Sequence, residues 1–151
     1  MSSSYVRTEL KNFITASIPS EDKVVDLTGE YDNLRKVLAK NSINHTDNWL
    51  GLQFIANDEE VVTLSAGNNA GKYREFGALY LHVVSPAQIG VADVILPRTE
   101  IIRNTFRGQR IGDILIQSVT PPNFESGATL QFEGGYQSAS VIVTYERDLN
   151  L

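Results

Sequence analysis

A chain of 151 residues fits one domain, residues 1–151, with enough sequence to bury a sizeable core. Its 21% charged and 42% apolar residues are the balance of a folded globular protein, not a disordered one. The net charge of −5 argues against a general role coating DNA, which needs a basic footprint, and the lack of cysteine excludes disulfides and thiolate zinc sites.

The N-terminal Met1-Ser2-Ser3-Ser4-Tyr5 has no basic start leading into an apolar run, so no signal peptide is expected. No apolar stretch approaches the roughly 18 residues a membrane helix needs. Ser3 or Ser4 can cap a first helix, in which Val6, Leu10, Phe13, Ile14 and Ser17 share a face at helical spacing. Pro19 ends it, because the residue before a proline is pushed out of helical geometry. Residues 20–28 are polar and acidic. Tyr31, Leu34 and Leu38 give a second, shorter helical pattern, and residues 41–48 are a polar connection.

Residues 49–55 then alternate as a strand, with Leu50, Leu52 and Phe54 on one face and Gly51 and Gln53 on the other. Asn57-Asp58-Glu59 reads as a turn, with residues 60–65 returning as the second arm of a hairpin. Residues 66–72 read as an exposed loop. Residues 76–84 are the central strand of the pattern: Gly77, Leu79, Leu81 and Val83 alternate with Phe76, Ala78, Tyr80, His82 and Val84. Pro86 stops it. A helix follows on Val91, Val94, Ile95, Arg98, Ile101, Ile102 and Thr105, with a kink or fresh start expected at Pro97. Gly108 supplies the left-handed residue after it. Residues 112–119 form a strand and residues 121–135 a long loop. In the last strand, residues 138–145, Ala139, Val141, Val143 and Tyr145 face one way. This order predicts an α+β fold: a mostly antiparallel sheet with helices packed on one face, a two-layer sandwich.

Chemistry is sparse. His45 lies in a polar segment beside Asp47, and His82 within a strand, where a hydrogen-bonded ring on a sheet face is the simpler reading. Two histidines in such different settings make no metal site, and no serine sits in a Gly-x-Ser-x-Gly elbow. The acids Glu21-Asp22 and Asp58-Glu59-Glu60 fall where solvation keeps carboxylates untuned. Gly67-Asn68-Asn69-Ala70-Gly71-Lys72 lacks the Ser or Thr that a phosphate loop needs after its lysine. Arg98, Arg103, Arg107 and Arg110, interleaved with Phe106, suit DNA phosphates, solvent, or acids of a neighbouring subunit; solvent or a subunit is favoured. No catalytic, cofactor-binding or metal residues are expected, and the chain reads as an assembly module rather than an enzyme.

Five features carry a resemblance. They are the N-terminal amphipathic helix, the strand Trp49-Leu50-Gly51-Leu52-Gln53-Phe54, and the strand opening on Arg74-Glu75-Phe76-Gly77. After them come a helix ending at Phe106-Arg107-Gly108, and Gly134-Gly135-Tyr136-Gln137 leading to Val141-Ile142-Val143-Thr144-Tyr145. Their order resembles the tail terminator, or tail-completion, proteins of long-tailed bacteriophages. The likeness covers about half the chain, and residues 20–48 are longer than the family pattern. It implies an α+β subunit of a six-membered ring, without enzymatic activity or cofactor. Such a ring ends polymerisation of the tail tube and offers a surface for head joining. Its partners would be other copies of itself, the major tail tube protein, and a neck or head-completion protein. It would sit at the head-proximal end of the virion tail after synthesis in the host cytoplasm, with no membrane and no sequence-specific nucleic acid. A neck connector subunit, or an unrelated α+β binding module, stays open as the alternative.

The two long connections, residues 66–74 and 121–135, are rich in Gly, Asn and Pro, and loops of that length are usually functional or disordered. They are expected to order against neighbouring subunits or the tube end. In that reading Tyr73, Phe76, Phe124, Phe132 and Tyr136 supply burial. Arg74, Glu75, Glu125 and Glu133 fix register, and Arg107 and Arg110 complete the partner-binding set.

Overall fold

The computed structural model describes residues 4–18, 23–27, 39–40, 43, 47–63, 72–86, 91–123 and 136–150. The elements are α1 (Ser4–Ser17), β1 (Lys23–Asp26), β2 (Trp49–Thr63), β3 (Lys72–Pro86), α2 (Val91–Phe106), β4 (Arg110–Ile111), β5 (Ile114–Val119) and β6 (Tyr136–Asn150). The strands form a six-stranded sheet in the order β1-β2-β3-β6-β5-β4. β1 runs parallel to β2 and every other pairing is antiparallel, so the fold is α+β with a mixed sheet.

Sequence periodicity explains the core. Leu50, Leu52 and Phe54 of β2, Leu79, Leu81 and Val83 of β3, and Ala139, Val141, Val143 and Tyr145 of β6 are buried at alternate positions. They form one cluster with Val6, Leu10 and Ile14 of α1 and Ile95, Ile102 and Phe106 of α2. Phe13 joins its margin, with its ring 5.3 Å from that of Phe106 in an edge-on contact. The opposite sheet face also buries side chains at the β1 end, where Val25, Trp49, Gln53, His82 and Val84 lie in adjoining register. There Leu27 and Trp49 close over Gly51, which leaves no room for a Cβ.

Several expectations change. Asn57-Asp58-Glu59 is not a turn, because β2 runs unbroken to Thr63 and its hairpin partner is β3. Bulges between Phe54 and Ala56 and between Val61 and Thr63 bracket the polar run. Each bulge shifts the alternation by one residue, which breaks a period-two pattern. β1 lies in residues 20–28, a stretch read only as polar and acidic. Residues 112–119 are not one strand: Gly112, at φ 62, and Asp113 turn the chain from β4 into β5. Helix α2 continues through Pro97. It buries Ile95, Thr99, Ile102 and Phe106, while Ile101 is 43% exposed, so its core stripe is rotated from the expected one. Gly108 has φ 71, as its place after the helix predicts. The expected helix around Tyr31 to Leu38 lies outside the described residues, as does the segment 64–71.

Gly77 is a seat for an aromatic ring. It pairs with Tyr145 across β3 and β6, and a Cβ at Gly77 would overlap the phenol ring. Tyr145 is fully buried and has nowhere to retreat. Gly77→Ala is therefore expected to lower stability by about 1–3 kcal/mol through overpacking. An unchanged urea midpoint would show that the ring shifts freely.

Candidate functional site

Strands β2, β3 and β6 each run for 15 residues, about 50 Å at the usual strand rise. The helices have 14 and 16 residues and reach only about 21–24 Å. On the helix-covered face the paired rows of β2, β3 and β6 turn from apolar to charged beyond Tyr145, while Ile111 and Ile114 of β4 and β5 carry the core alongside Arg147. Residues 58–63, 72–76 and 146–150 continue the three central strands; β5 still pairs with Glu146 and Arg147, so only the rows from Asp148 outward are three strands wide. Polar contacts organise this end of the sheet.

Arg74 Nε donates to Asp148 Oδ1 at 2.9 Å and lies 3.9 Å from Glu146 Oε2. Arg147 is the hub of the other face. Its Nε donates to Asp113 Oδ2 at 3.0 Å, its Nη1 stands 3.8 Å from Glu75 Oε2, and its guanidinium lies 4.1 Å from the centre of the Tyr5 ring. The hub thus ties α1, β3, the β4–β5 turn and β6 together.

The structure divides the predicted contact residues. Arg74 and Phe76 are half-buried on the extension, and Tyr73 holds a register position opposite Val61 and Leu149. Glu75 is 1% exposed and held inside its own subunit, so it offers no surface to a neighbour. Tyr136 pairs with Pro86 at the far end of β3, away from Tyr73. The predicted set therefore does not form one patch. Phe124, Glu125, Phe132 and Glu133 lie outside the described residues. Arg107 and Arg110 are exposed at the end of α2, where Arg107 Nη1 donates to Asn104 Oδ1 at 3.5 Å. Arg103, nearby, pairs with Glu100 at 3.2 Å. Among the described residues neither Arg107 nor Arg110 has an acidic partner.

His82 sits in a buried polar row across three strands. Its Nδ1 lies 2.8 Å from Ser140 Oγ and its Nε2 lies 2.9 Å from Gln53 Oε1. Burial lowers its pKa from 6.5 to about 4, so the ring is neutral at pH 7. In that state Nε2–H donates to Gln53 and the Ser140 hydroxyl donates to Nδ1. Gln53 is an amide and gives an imidazolium no charge partner, and Ser140 is only 5% exposed. The row fits a structural role on the sheet face. His45 lies outside the described residues.

Sequence reading missed a groove of about 340 Å³ between the end of α1, the start of β2 and α2. Ile18, Trp49, Leu50, Pro97 and Ile101 supply apolar lining, with Asp93 and Arg98 also on its walls. Among the described residues no three His, Cys, Asp or Glu side chains are placed to share a metal ion. Among them, too, no helix is long and apolar enough to cross a membrane. Neither any protein-family model nor any curated protein matches the chain.

Proposed function

We propose that the chain is a virion structural subunit that forms a ring capping the tail tube of a long-tailed phage. The ring ends tube polymerisation and presents a surface for head–tail joining. Its partners are its own copies, six to a ring, the major tail tube protein on one side and a neck or head-completion protein on the other. It works at the head-proximal end of the tail, without catalysis, cofactor or membrane. Each subunit is a two-layer sandwich with α1 and α2 on one sheet face. The shared cluster of Leu10, Ile14, Ile102 and Phe106 with Leu52, Leu81 and Val141 supports that arrangement.

The observation that carries the functional reading is the strand extension. The sheet's three central strands run past β5 and past Tyr5 of α1, in rows that carry Glu60, Arg74 and Asp148, and offer a polar surface to a partner. The resemblance in the order of strands, helix and joint residues supplies the assembly in which such a surface is used.

Light scattering of the purified protein, with negative-stain imaging after mixing with tail tubes, tests the reading. Rings on the tube ends are the expected result. A soluble protein that forms no rings and caps no tubes overturns it.

A further inference from the structure

We propose that the outer edge of β2, over residues 55–63, docks against the Arg107–Arg110 end of a second copy of this chain, head to tail. The inference rests on the ring reading and names the contact that builds the ring.

Two features of the sheet carry it. β1 covers β2 only from Trp49 to Leu52, and Leu27 N–H adds one bond to the Leu52 carbonyl. Past that point, among the described residues, no strand pairs with β2 on this side. An edge left unpaired among the described residues over this length is a template for another chain. Its sequence places Asp58, Glu59 and Glu60 at consecutive positions between the two bulges. At the other limit of the sheet, β4 is the edge strand, and Arg107 and Arg110 stand exposed beside it without acidic partners among the described residues.

The sheet thus ends in an acid-bearing edge on one side and a basic corner on the other. A two-fold contact of either edge with itself would oppose like charges. A head-to-tail contact opposes unlike ones, and its repetition closes a ring where the rotation allows.

Charge reversal tests this on the full chain. One variant carries Asp58→Lys, Glu59→Lys and Glu60→Lys; the other carries Arg107→Glu and Arg110→Glu. Each alone is expected to be folded by circular dichroism and monomeric by light scattering. Mixed in equal amounts they should assemble again, alternating, and native mass spectrometry should show even subunit numbers with 1:1 composition. The neutral variants Glu59→Gln, which keeps side-chain shape, and Arg110→Gln, which removes the charge with a shorter polar side chain, should each weaken assembly by about tenfold, so the test survives a charge-reversed chain that fails to fold. Amide exchange over residues 55–63 should slow on assembly.

If wild type assembles and the reversed or neutral variants do so equally well, the contact is elsewhere. The proposal also fails if the mixture stays monomeric, or if exchange at residues 55–63 is unchanged in the assembly. A wild type that stays monomeric even with tail tubes sinks the ring reading itself, and this contact with it.

Discussion

Replacing Arg147 by methionine is expected to lower the unfolding free energy by about 3–5 kcal/mol, the range for breaking a buried ion pair from one side. The Glu75 side chain is 2% exposed and Arg147 17% exposed, so the carboxylate that loses its guanidinium has little water to turn to. The same substitution releases Asp113 and removes the cation from the Tyr5 ring. Those exposed contacts add little by themselves. Urea unfolding of a double-mutant cycle separates the contributions. In a Glu75→Gln background, Arg147→Met should cost much less than in wild type, because the buried carboxylate it neutralises is already gone. Equal costs in both backgrounds would mean that Glu75 and Arg147 are not coupled in the folded state.

Acid should loosen the fold through His82. Its folded pKa, about 4, lies below the unfolded value near 6.5. Between those values the unfolded chain takes up a proton that the folded chain refuses. Stability is therefore full above about pH 6.5 and falls as the pH drops towards 4, by up to about 3 kcal/mol. His82→Gln removes the titrating group, and its unfolding free energy should be flatter across that window than that of wild type. A variant as steep as wild type would assign the acid sensitivity to carboxylates instead.

What the sequence made legible follows from the range of each signal. The alternation of Ala139, Val141, Val143 and Tyr145 is local, and burial follows it residue by residue. So is the spacing of Val6, Leu10 and Ile14 along α1. In α2 the apolar residues Ile95, Leu96, Ile101 and Ile102 spread around the helix, and only packing decides that Ile101 faces out and Phe106 in. Asn57, Asp58 and Glu59 favour turns by propensity, but cross-strand pairing with β3 holds them extended. β1 is four residues in polar surroundings, and its parallel partner comes after a long connection, so nothing near it announces a strand. Contacts between distant parts of the chain were the hardest to see. Arg147 gained its role from Glu75, Asp113 and Tyr5, none of them close in sequence, and the fit of Tyr145 over Gly77 depends on register. Arg74, Phe76, Arg107 and Arg110 were legible as polar or aromatic residues near element ends, but the opposition of two charged sheet edges required the strand order.

That strand order also sets a timetable for the ribosome. β6 is the last of the described strands in chain order, yet it lies inside the sheet, between β3 and β5. Until it emerges, the β2–β3 and β4–β5 hairpins have no common neighbour, and each presents a bare apolar flank. Once Val119 has been made, the nascent chain carries two half-sheets, open to mispairing until β6 arrives. Insertion of a single late strand then joins them in one step, and the many long-range pairings formed at that moment make the step slow.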